Sequence, residues 1–77
     1  MKLTPISPKK LVKVLGFLGY SQVRQKGSHI ILEHKETRKI TVVPVHSGQD
    51  ISVGLLSMIL REVGLSRKEY FKLLKKA

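Results

Sequence analysis

The chain has 77 residues and no cysteine, which suits one domain spanning residues 1–77 and excludes disulfide staples and thiolate chemistry. Fifteen Lys and Arg against five Asp and Glu give a formal charge of +10, a field that favours polyanions and, among them, nucleic acid. No apolar run approaches the roughly 20 residues that cross a bilayer, no secretory leader is visible, and the basic residues are not gathered on one amphipathic helix; the expectation is a cytoplasmic protein without a membrane partner.

The first element is predicted to be a helix. Ser7 can cap it, Pro8 fits the first helical position, and Leu11, Val12, Val14, Leu15 and Leu18 recur at helical spacing while Lys9, Lys10 and Lys13 take the wet side. Gly19 suits the left-handed residue after the helix, and Gly16 is expected to permit close packing on a sheet. Three strands follow, Tyr20–Lys26, His29–His34 and Lys39–Val45, joined by Gly27-Ser28 and by Lys35-Glu36-Thr37-Arg38. Connections this short predict an antiparallel meander.

Alternation divides the strand residues between two faces. With Val23, Ile30, Leu32, Ile40 and Val42 placed in the core, the opposite face carries Gln22, Arg24, Lys26, His29, Ile31, Glu33, Thr41 and Val43. A slip of one residue inverts any one strand's share. After a loop at residues 45–50, Ser52 caps a second helix bearing Val53, Leu55, Leu56, Ile59, Leu60 and Val63, which ends at Gly64. A third helix opens with Ser66 and Glu69 at capping-box spacing and with Leu65 and Tyr70 as a hydrophobic staple. The order α-β-β-β-α-α predicts an α+β fold with helices on one face of a three-stranded antiparallel sheet.

The parts available for chemistry are few. His29, His34 and His46 lack the spacing of a metal site, and no glycine-rich phosphate loop is present, so neither a metal nor a small-molecule cofactor is expected. His34 reads as a surface residue, His46 as a residue hydrogen-bonded at the start of the second helix, and Tyr20 and Tyr70 as packing residues. What remains is Gln25-Lys26-Gly27-Ser28-His29, a turn offering backbone N–H groups, a cation, a hydroxyl and an imidazole. Such parts can bind a phosphodiester and accept a proton, and they equally suit an ordinary strand end.

A wider pattern narrows the choice. The Gly27-Ser28-His29 turn is followed by a hairpin, then by Val43-Pro44-Val45-His46-Ser47-Gly48, by Gly54-Leu55-Leu56 with Ile59-Leu60, and by Gly64-Leu65-Ser66 leading to Glu69-Tyr70-Phe71. In this order and spacing the chain resembles the HicA, or YcfA-like, toxins. The resemblance implies a double-stranded-RNA-binding-domain-like fold, cleavage of messenger RNA by the His of the Gly-Ser-His turn, and inhibition by a HicB-type antitoxin that covers it. The matching position is His29. The chain departs from the family pattern at Leu55 and Ser57, where many members have Thr and Arg.

On this reading His29 is the catalytic residue of an endoribonuclease, taking the proton of a ribose 2′-hydroxyl so that the oxygen attacks the adjacent phosphorus. Lys26, the backbone N–H groups of Gly27 and Ser28, and Arg24 bind the RNA and stabilise charge on the phosphoryl oxygens. The general acid is left open between water and protonated His29. The alternative function is a basic RNA-binding module without catalysis, which charge and sheet support equally.

Overall fold

The computed structural model describes residues 2–77. Helix α1 (Pro8–Phe17) starts where expected: Ser7 is extended and its Oγ accepts the Lys10 N–H at 3.2 Å, with Pro8 at the first turn. It buries Leu11, Val14 and Leu15. Gly16 does not pack on the sheet as anticipated; it is exposed, and a Cβ built there meets nothing within 4 Å.

Strands β1 (Tyr20–Lys26), β2 (His29–His34) and β3 (Ile40–Pro44) form one antiparallel sheet in the order β1-β2-β3. Helix α1 lies against β1 and β3, α2 (Val53–Val63) against β3, and α3 (Arg67–Leu74) against α1. The element order and topology are those of the double-stranded-RNA-binding-domain-like α+β fold. The buried side chains, among them Leu11, Val14, Leu15, Leu32, Leu56 and Tyr70, form one cluster beneath the helices.

The two-face assignment holds for β2 and inverts for β3. Directly opposed residues in an antiparallel pair share a face, and the observed register sets Leu32 against Thr41 and Ile30 against Val43. Val43 is fully buried and Thr41 is 2% exposed, whereas Ile40 and Val42 are 52% and 39% exposed. The physical reason is that Ile40-Thr41-Val42-Val43 offers an apolar or β-branched side chain in either phase, so alternation alone cannot choose. Thr41 is tolerated inside because its hydroxyl donates to Glu62 Oε1 at 2.6 Å. Val23 is also displaced from the core: the register shifts between Gln22 and Arg24, and Val23 is 50% exposed on an edge strand.

Ser52 caps α2 by accepting the Leu55 N–H, and Gly64 ends it at φ 74° with the Leu65 N–H donating back to the Leu60 carbonyl. At α3, Ser66 Oγ accepts the Glu69 N–H and donates to Glu69 Oε1, a variant of the anticipated capping box, while Leu65 and Tyr70 are both buried. One bridge was not legible in the sequence. Ile6 and Ile51 exchange backbone hydrogen bonds at 3.2 and 2.7 Å, tying the loop before α2 to the segment before α1.

Candidate functional site

Among the described residues no element covers the face of the sheet away from the helices, and the turn between β1 and β2 stands at its end. Lys26 pairs with His29 across a two-residue connection. The positive φ falls on Gly27 (58°) and not on Ser28, the requirement of a type II′ hairpin turn. Gln25 Nε2 donates to the Gly27 carbonyl at 3.3 Å, and the Val45 N–H donates to the Ser28 carbonyl at 2.6 Å. The turn is therefore braced by Gln25 of β1 and by Val45, the residue after β3, which limits how far His29 can wander.

On that face the register sets Arg24 against Ile31, Lys26 against His29, and His29 against Pro44. Lys26, Gly27, Ser28 and His29 border an open depression of about 540 Å³ with Ile31 and Val42. The structure thus brings together four of the five residues selected from the sequence, and Arg24 lies on the same face, beside Ile31. Ile31 and Val42 complete the floor. Alternation alone places Val42 in the core; the signal that identifies it as a site residue is its pairing with Ile31, an outward residue of β2.

The three imidazoles are now distinguishable. His34, expected at the surface, is a packing and hydrogen-bonding centre: Nε2 donates to the Leu18 carbonyl at 2.8 Å, and Nδ1 accepts the N–H groups of Glu36 and Thr37 at 3.1 and 3.2 Å. Its ring also meets Tyr20 edge-on at 5.1 Å. Both nitrogens are occupied, so His34 has none to lend to catalysis. His46 is exposed and does not cap α2, a task performed by Ser52. The His29 side chain is exposed, and among the described residues its ring takes no hydrogen bond.

No group of three or more His, Asp or Glu side chains among the described residues is placed to share a metal ion. No described helix is long and apolar enough to cross a membrane. At the positions that depart from the family pattern, Leu55 packs against the core and Ser57 is half-buried.

Fold and site together define a small, strongly basic α+β domain with a double-stranded-RNA-binding-domain-like fold and an exposed imidazole beside a lysine on the outer face of its sheet. Residues 8–65, well over half the chain, match the family model described as the HicA toxin of bacterial toxin–antitoxin systems. The chain belongs to the HicA toxin family, and membership implies an antitoxin partner. A search among curated proteins returns no match.

Proposed function

We propose that this protein is an endoribonuclease toxin that cuts messenger RNA in the cytoplasm without a metal ion, and that a HicB-type antitoxin restrains it. The observation that carries the reading is His29: an exposed ring with both nitrogens unengaged, next to Lys26 and a braced turn.

The chemistry balances with the groups present. The neutral ring of His29 takes the proton of a ribose 2′-hydroxyl. The 2′-oxygen bonds to the adjacent phosphorus while the bond from phosphorus to the 5′-oxygen breaks, and that oxygen receives a proton from water or from the His29 imidazolium. The products carry a 2′,3′-cyclic phosphate and a 5′-hydroxyl. Lys26, the Gly27 and Ser28 N–H groups and Arg24 supply positive charge and hydrogen-bond donors toward the phosphoryl oxygens. A general base contributes typically about 10²–10⁴-fold, so turnover is expected to be slow. An antitoxin seated over the Gly27–His29 turn blocks access while leaving the fold intact; a complex that leaves the turn exposed contradicts this part of the reading.

Induced expression of the wild type and of His29→Ala, with growth and RNA integrity followed, separates nuclease from binding module. The nuclease reading expects growth arrest and degraded messenger RNA with the wild type alone. Arrest with intact RNA, or equal toxicity of His29→Ala, supports the binding module instead.

A further inference from the structure

A second basic surface lies away from the sheet. Three cations sit on α1, three on α3 and two directly after it, so eight of the fifteen basic residues belong to these two helices and the turn that follows. Arg67, Lys68, Lys72 and Lys75 line an open groove of about 510 Å³ with Phe71 at its side. Lys9, Lys10 and Lys13 border a second depression of about 260 Å³ together with Ser7 and Ala77. Helix α3 packs on α1, and Ala77 lines the depression on α1, but the two depressions share no lining residue, so the α3 groove is a surface of its own.

This arrangement works against the stability of α3. Arg67 and Lys68 occupy its first turn, where the helix dipole disfavours cations, and Lys68 and Lys72 repel each other one turn apart. Each such placement costs a few tenths of a kcal/mol. Glu69, the single acid on either helix, is engaged with Ser66. The one ion pair among the described residues, Arg38–Glu33, is elsewhere. A polyanion laid in the groove removes the repulsion. A bilayer is a poorer fit, because of the large exposed apolar residues only Phe17 lies on α1 and none lies on α3. Helix α3 lies beyond residues 8–65, the segment matched to the family model.

We propose that the basic groove along α3 binds the phosphate backbone of RNA at a place separate from the reacting phosphodiester, holding long substrates on the protein. The identity of the polyanion as RNA rests on the ribonuclease reading. The clustering of cations along α3 does not.

The test uses the full chain carrying His29→Ala, so that bound RNA survives, with and without Lys68→Gln, Lys72→Gln and Lys75→Gln, titrated with fluorescent polyuridylate across a salt series. The triple substitution is expected to weaken binding roughly tenfold at low salt and to flatten the log–log salt slope by about 2, three contacts on a single strand at about 0.7 each. Replacing the same lysines by Arg is expected to restore affinity, which excludes misfolding as the cause. Unchanged affinity and slope overturn the proposal, as does a loss seen only on phosphatidylglycerol vesicles. With His29 present, the glutamine variant is expected to raise KM for long RNA and leave turnover of a dinucleotide unchanged. If the wild type cuts no RNA while the binding difference persists, the nuclease reading falls and the RNA-binding face stands; if the wild type cuts and the glutamine variant binds as tightly, the face alone falls.

Discussion

At the scale of single residues, the difference between His29 and His34 is a difference in how many hydrogen bonds the backbone asks of each ring. His34 accepts two amide protons from the turn that follows it and donates to the end of α1, so it joins three pieces of chain. His34→Ala is expected to destabilise the protein by about 2 kcal/mol, read as a lower urea midpoint with an unchanged m-value. Gly19 is tied to the same ring: its φ is 104°, and a Cβ there comes to 2.9 Å from His34 Nε2. Gly19→Ala is therefore expected to cost about 1–3 kcal/mol, and stability unaffected by either substitution contradicts this account of the ring. The Gly-Ser-His turn was legible in the sequence because its parts are contiguous. His34 was not, since Leu18 reaches it only after the chain has turned at Gly19.

Among the elements, β3 is the instructive case. Its ends and its pairing with β2 follow from composition and from the short connection, but its phase depends on tertiary contacts, Glu62 on α2 accepting from Thr41 and Val43 entering the helix layer. Val43→Ala is expected to cost about 1–3 kcal/mol, and Val42→Ala no more than about 0.5, by chemical denaturation. The reverse order contradicts the register. Helix α1 supplies a complementary expectation. Gly16 has open space around it and no positive φ, so Gly16→Ala is expected to raise stability by about 0.5 kcal/mol, seen as a small increase in Tm. The helix starts were readable because Ser7, Ser52 and Ser66 each cap through their own side chain, a local interaction. The Ile6–Ile51 bridge joins residues far apart in sequence and left no such mark.

For the whole molecule, a net charge of +10 favours polyanions and the fold sorts that charge. Lys26 and Arg24 lie with His29 on the outer face of the sheet, while α1 and α3 each carry lysines of their own around separate depressions. Net charge was plain in the sequence, but its division into separate surfaces depends on which helix faces meet. RNA affinity is expected to fall steeply with ionic strength, and cleavage to be indifferent to chelators. The most direct measurement mixes purified wild type or His29→Ala with one RNA, made with ordinary riboses or with 2′-O-methyl riboses, in the presence of a chelator. The account expects cutting only by the wild type and only of the ordinary RNA, leaving 2′,3′-cyclic phosphate ends. Cutting of the methylated strand, or wild-type rates from His29→Ala, contradicts it.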